Sequence, residues 1–335
     1  MNTKKENAMK SFLAALAVAA AALAGPAHAA YPERPITMIV PFAAGGPTDV
    51  VARIVAEPMG RALGQQIVIE NVAGAGGTTG TVRAAQAAPD GYTIEMGHMG
   101  THGAAKALYP DLKYDPENDF APIGLAAGTP ILVVAKKDFP AKDFKEFVAY
   151  VKKNSEKLNE AHAGVGSVSF TTCSLFNSIV GAKPTRAAYR GTGPALNDLV
   201  AGQVDYMCDQ IVNLVPQIQA GTIRAYAVAL PARSPALPDV PTTKEGGLPE
   251  FQVSAWNAVF APKKTPADVQ KKLADALQKA LKDENTRKRL LDLGADLSNE
   301  AATKPDGLAK LVASEVVRWG KVLKGVTAAP AAPAK

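Results

Sequence analysis

Three junctions of this 335-residue chain place glycines and hydroxyl residues between an apolar run and a helix-like segment. The first is Pro41-Phe42-Ala43-Ala44-Gly45-Gly46-Pro47-Thr48-Asp49. Its two glycines keep side chains away from the backbone, and Pro47 fits the first helical position, where its missing N–H costs nothing. The amides of Thr48, Asp49 and Val50 then point unpaired from a helix N-terminus, whose partial positive charge suits a carboxylate or phosphate. The second junction, Ala163-Gly164-Val165-Gly166-Ser167-Val168-Ser169, adds hydroxyls from Ser167, Ser169 and Thr171 that can donate to an anion. Ser169 serves as well as a plain N-cap, and one serine can do both. Gly191-Thr192-Gly193-Pro194 is the third. The chemistry of this pattern is anion binding by backbone and hydroxyl donors.

Other residues carry weaker signals. His98 and His102 are four apart, which on a helix makes a metal pair. Gly97, Gly100 and Gly103 argue against a helix and no third ligand lies nearby, so both read as loop histidines that line a cleft or cap a turn, with no metal. Gly74 to Gly80 has the spacing Gly-x-Gly-Gly-x-x-Gly and lacks the later acidic residue of a dinucleotide site; it reads as tight strand-to-helix packing, with no cofactor. Asp209 ends the strand that begins at Val204, where open α/β sheets bind ligands, and can accept a hydrogen bond from a ligand or hold a loop. Cys173 and Cys208 are the only cysteines. A disulfide is permitted outside the cytoplasm, but sequence does not supply the Cα separation, and pairing stays open. Gly-x-Ser-x-Gly, phosphate-loop and His-Glu-x-x-His motifs are absent, which shifts weight from catalysis to binding.

The elements that must position these residues follow from periodicity. Ile36–Val40 reads as a strand and Val50 to Leu63 as its helix, with Pro58 expected to kink it at about 3 kcal/mol. Strands are expected at Gln66–Glu70, Gly91–Met96, Ile131–Ala135, Leu158–His162, Thr185–Tyr189, Val204–Cys208, Arg224–Ala229 and Val253–Phe260. Helices are expected over Lys142–Lys153, up to Val180, Ala195–Ala201, Ile211–Ala220, from Thr265-Pro266 through Leu281, Glu284–Leu293 and Pro305–Leu323. Strands alternate with helices, which is an α/β protein large enough for two lobes.

Residues 1–29 read as a signal peptide: Lys4, Lys5 and Lys10, an apolar run from Phe12 to Leu23, then Ala27-His28-Ala29. The mature protein is expected outside the cytoplasm. The whole chain carries a net charge of +6, and without residues 1–30 it is near +4, dispersed and without aromatic-interleaved basic runs. Nucleic acid is therefore not an expected partner. The Ala-Pro-Lys tail, 328–335, reads as disordered.

Several motifs carry a family resemblance. Tyr31-Pro32-Glu33-Arg34-Pro35-Ile36, the Pro41–Asp49 turn, Asn71 with Gly74-Ala75-Gly76-Gly77, Pro89-Asp90-Gly91-Tyr92-Thr93, Tyr114-Asp115-Pro116, Asp119-Phe120-Ala121-Pro122 and Arg233 to Thr242 occur in order along the mature chain. The chain resembles the Bug family, extracytoplasmic solute receptors associated with tripartite tricarboxylate transporters. The resemblance implies a periplasmic two-domain α/β binding protein of the Venus-flytrap type, with domain 1 from 30–126 and 252–327 and domain 2 from 127–251. It implies a receptor that closes on a small organic acid in the interdomain cleft and presents it to membrane transporter subunits; a monomer without enzyme activity is expected, and the alternatives are a ligand-sensing partner of a sensor kinase and an extracytoplasmic enzyme. Carried over by position, the ligand contacts are Phe42, Ala43, Gly46, Thr48, Asp49, Thr101, His102, Gly166, Ser167, Ser169 and Asp209. His98, Met99 and Phe170 are the selectivity candidates. The cysteine pair and Pro58 depart from the usual family text.

Overall fold

Short apolar runs flanked by glycine turns build a sheet first on one side of the molecule, then on the other. The computed structural model describes residues 31–324; the leader and the tail lie outside the described residues. From Arg34 onward the chain forms one compact unit, and Tyr31–Glu33 group outside it. β1 (Ile36–Val40) runs into α1 (Pro47–Leu63), β2 (Ile67–Asn71), α2 (Thr78–Ala85) and β3 (Thr93–His98). β1 pairs in parallel with both β2 and β3. Next come α3 (Ala105–Leu108) and the 17-residue β4 (Phe120–Lys136). The second half follows the same alternation: α4 (Phe144–Asn154), β5 (Asn159–His162), α5 (Val168–Val180), β6 (Thr185–Ala188), α6 (Thr192–Val200) and β7 (Tyr206–Gln210). α7 (Val215–Gln219), β8 (Ile223–Val228), β9 (Ser254–Pro262), α8 (Ala267–Lys282), α9 (Glu284–Asp292) and α10 (Pro305–Val322) complete it.

The strand order is β2-β1-β3-β9-β4-β7-β5-β6, with β8 also paired to β4. β4 is the shared strand. It pairs with β9 as far as Pro130 opposite Ser254, then with β7 from Ile131 opposite Gln210. The result is the two-domain α/β fold, with one continuous apolar cluster that runs through both halves. Phe144, Phe147, Phe176, Tyr206 and Phe251 are its large side chains in the second half, and Phe120, Phe260 and Trp319 those in the first.

Three local expectations need correction. β4 begins at Phe120 rather than at Ile131. Pro122, Gly124, Gly128 and Pro130 break the apolar alternation that would have marked its first half, and the ladder to β9 shifts register there. Gly100–Ala104 is a π-helical turn leading into α3, not an open loop. Ile211 to Ala220 is not one helix but a 3-10 turn, Ile211–Asn213, followed by α7, because Pro216 supplies no amide to join them. α1 continues through Pro58 to Leu63 and ends on Gly64 in the left-handed conformation, φ 76°.

Candidate ligand cleft

Helix N-termini from both halves of the molecule meet at one small cavity. Its wall takes Phe42, Gly46, Pro47 and Thr48 from the start of α1, Ala163, Ser167, Val168 and Ser169 from the start of α5, Thr192 from the start of α6, and His98 and Gln210 from strand ends. All three helices have at least nine residues. The amides of their first turns, among them Thr48, Val168, Ser169, Thr192 and Gly193, have no intrahelical carbonyl to reach. No Lys, Arg, Asp or Glu lines this wall. Positive potential here comes from aligned peptide dipoles.

The donors are oriented by their neighbours. Ser167 Oγ accepts from Phe170 N at 3.2 Å, and Ser169 Oγ accepts from Ala163 N at 3.0 Å. The two hydroxyls lie 3.2 Å apart. One hydroxyl proton joins them and the other stays available to a ligand. Ser167 is the N-cap of α5, so the capping role falls to Ser167 rather than to Ser169. At β3, His98 Nδ1 accepts from Gly100 N at 2.8 Å and Thr101 N at 3.1 Å. Two amide donors on Nδ1 put the ring proton on Nε2. Burial lowers the His98 pKa to about 4, so the ring is a neutral donor, stacked on Phe42 with centroids 4.8 Å apart.

The jaws are closed. The cavity is about 10 Å3, room for about one water molecule. Ala43 N donates to Arg190 O at 3.3 Å across the rim, and the single Tyr109 hydroxyl proton reaches Val165 O at 2.6 Å or Ala75 O at 2.9 Å. A Cβ on Gly193 would stand 2.5 Å from Ala44 O, and one on Gly100 would stand 2.5 Å from Gly166 O. Glycine is what lets the two backbones approach this closely.

The nominated residues divide into groups. Phe42, Gly46, Thr48, His98, Ser167 and Ser169 line the cavity. Ala43 and Gly166 stand at the rim contacts. Asp49 and Thr101 are turned inward as supports. The Asp49 carboxylate accepts from Gly45 N, Arg53 Nε and Asn71 Nδ2 at 2.9–3.0 Å, and Asn71 Nδ2 also reaches Phe42 O. Burial pushes its pKa up, but Arg53, Gly45 and Asn71 outweigh that and hold it below the usual carboxylate range. Thr101 Oγ1 contacts His98 N, His98 O and His102 Nδ1 at 3.0–3.2 Å.

His102, Met99, Phe170 and Asp209 do not line the cavity. His102 stacks on Phe260 with centroids 3.9 Å apart and stands edge-on to Phe120, away from the cavity. Met99 and Phe170 are buried in the apolar cluster. Asp209 is fully buried with Oδ1 unpartnered, and burial raises its pKa to about 7. Adjacent strand residues face opposite ways, and at the end of β7 it is Gln210 that reaches the cavity. Thr192 and Gln210 were not nominated, although the turn at Gly191–Pro194 and the strand end at Asp209-Gln210 were both visible. Cys173 and Cys208 form a disulfide with Cα atoms 5.1 Å apart.

The buried ionisable groups set a pH dependence. Burial raises Glu95 to about 8 and Glu160 and Asp209 to about 7. These carboxyls keep protons that the unfolded chain has released, so their contribution is present at low pH and lost as pH rises through 7 and 8. Burial lowers His98 and His162 to about 4, so their effect has the opposite sign and is spent mostly below pH 6.5. The free energy of unfolding is expected to fall by about 2 kcal/mol from pH 6.5 to pH 8. Urea melts at the two pH values check this, and a rise in stability over that interval would contradict it.

Comparison with known proteins agrees with this geometry. Residues 51–327 match the tripartite tricarboxylate transporter family receptor, TctC. MatC of Rhodopseudomonas palustris, solved with bound malate, is 51% identical, with a TM-score of 0.85 over 88% of this chain and 100% of that one. The periplasmic binding protein BugD is 44% identical, with a TM-score of 0.85 over 88% and 98%. Another R. palustris protein, solved with adipate, is 31% identical, with a TM-score of 0.83 over 88% and 97%. Strand order, helix termini and these matches converge on one conclusion: the chain belongs to the tripartite tricarboxylate transporter receptor family of periplasmic solute-binding proteins.

Proposed function

We propose that this protein captures a small dicarboxylate between its two domains in the periplasm and delivers it, unchanged, to the membrane subunits of a tripartite tricarboxylate-type transporter. The convergence of three helix N-termini on a cavity without cationic side chains carries this reading. Once the jaws part enough to admit it, a carboxylate between these termini accepts several amide and hydroxyl hydrogen bonds at once, and closure around it removes the water that would weaken them. Thr48, Ser167, Ser169 and Thr192 supply donors to one carboxylate, and the neutral His98 Nε2–H supplies one further along the ligand. The malate and adipate bound by the two R. palustris relatives are acids of this kind. Export follows from a leader at 1–29, and the hinge divides domain 1 (30–126 with 252–327) from domain 2 (127–251). The protein acts as a monomer.

Thermal shift of residues 30–335 against a panel of organic acids tests the reading. A dicarboxylate at a hundredfold excess over its dissociation constant is expected to add about 2.7 kcal/mol of stability. The same acid should be recovered intact after denaturation. The reading is lost if neutral sugars or amines raise the melting temperature while no carboxylate does.

A further inference from the structure

Three buried polar side chains meet where the two sheets join, and one of them reaches the ligand cavity. Gln210 ends β7 and lines the cleft. Its Oε1 accepts from Thr129 Oγ1 on β4 at 2.6 Å and from Asn257 Nδ2 on β9 at 2.9 Å. Asn257 Nδ2 also lies 3.3 Å from Thr129 Oγ1, which closes a three-membered ring of contacts. Thr129 and Asn257 are fully buried, and neither lines the cavity. Their strands form the last pairs of the first sheet, since β4 leaves β9 after Pro130 and joins β7 at the next residue. Asn257 also stands opposite His98 in the β3–β9 ladder, so both strand-end residues of the cavity wall adjoin it.

We propose that Gln210 is a specificity-determining residue of the cleft, whose amide N–H donates to the ligand's distal carboxylate or hydroxyl and whose orientation is set at the hinge by Thr129 and Asn257. Two donors on Oε1 fix the amide plane and turn Nε2 away from the hinge. A ligand that engages Nε2 therefore ties β7 of domain 2 to β4 and β9 where the chain crosses between domains. A ligand that fails to reach it leaves that tie unreinforced. Thr129 is accordingly a positioning residue, acting on the ligand through Gln210. This rests on the carboxylate reading above.

Calorimetric titration with L-malate as the probe, with small-angle scattering to follow closure, tests the proposal on the mature protein. Gln210→Met is expected to weaken malate binding roughly tenfold to a hundredfold, the loss of one hydrogen bond to a charged group. Thr129→Val keeps the side-chain shape, is absent from the cavity wall, and is expected to weaken binding about fivefold, with Thr129→Ser returning to within about twofold of the parent. Contraction on adding malate should need more ligand in both weakened variants. Wild-type affinity in Gln210→Met, or equal affinity in Thr129→Val and Thr129→Ser, overturns the proposal. Should Gln210→Met fail to fold, the Thr129 pair decides. If the unmodified protein bound no carboxylate at all, the function proposed above would fall instead.

Discussion

Gly76→Ala is expected to lower ligand affinity at least about a hundredfold while the protein stays folded. Gly76 lies in the turn Ala75–Gly77 with φ 62°, and a Cβ there would overlap the carbonyl oxygen of Val165 from the facing loop. The obstacle is backbone on both sides. Val165 sits between Gly164 and Gly166, both at positive φ, and Gly166 in turn packs on Tyr109, so the loop has little room to retreat. In a parted conformation the Val165 carbonyl is withdrawn, and what remains is left-handed strain, about 1–2 kcal/mol, with the Tyr109 hydroxyl 3.1 Å from the methyl at the far end of a side chain. The substitution therefore acts mainly on the closed state, and a ligand held by both jaws loses affinity in proportion to the closed population. Titration with L-malate, or with whichever acid the thermal-shift panel selects, gives the affinity. Scattering at saturating ligand should show no contraction in the variant. Undiminished affinity would mean that closure of this rim does not hold the ligand.

The second large effect is on stability. Cleaving Cys173–Cys208 is expected to lower the free energy of unfolding by about 4 kcal/mol in the chain-entropy description, for a separation of 35 residues. For a domain pair of this size that is roughly 5–10 °C in melting temperature. The bond ties α5, whose N-cap Ser167 and first-turn Ser169 face the cleft, to β7 two residues before Gln210. Thr172 Oγ1, beside Cys173, also lies 3.2 Å from Cys208 O. Reduction should loosen this join and weaken ligand binding modestly. Scans with and without reductant measure the shift, and a change below about 1 °C would show that packing alone holds α5 on β7.

The cleft was legible in sequence to the extent that its chemistry is local. A helix N-terminus announces itself within a few residues: Gly46-Pro47, Ser167 and Gly191 each mark where intrahelical bonding must begin. Those junctions are present as expected, and they supply most of the cavity wall. Strand positions were legible for the same reason, because apolar runs bounded by Gly and Pro need no partner to be noticed. The first half of β4 was not, since Pro122, Gly124 and Gly128 are tolerated only through its pairing with β9, far along the chain.

Side-chain direction marks the boundary between the two kinds of knowledge. His98 and His102 look alike in sequence, yet one lines the cleft while the other stacks on Phe260. Asp209 and Gln210 are neighbours, and the more conspicuous carboxylate is the one turned away. By itself the sequence determined the alternating α/β elements, the anion-suited helix starts and the resemblance to a receptor family. Only the tertiary structure decided which residue of each pair lines the cavity, that the two cysteines bond, and that Thr129, Gln210 and Asn257 join where β4 passes from β9 to β7. Caps and turns are fixed by hydrogen bonds spanning a few residues, whereas the facing of a strand is fixed by register with partners that sequence does not identify.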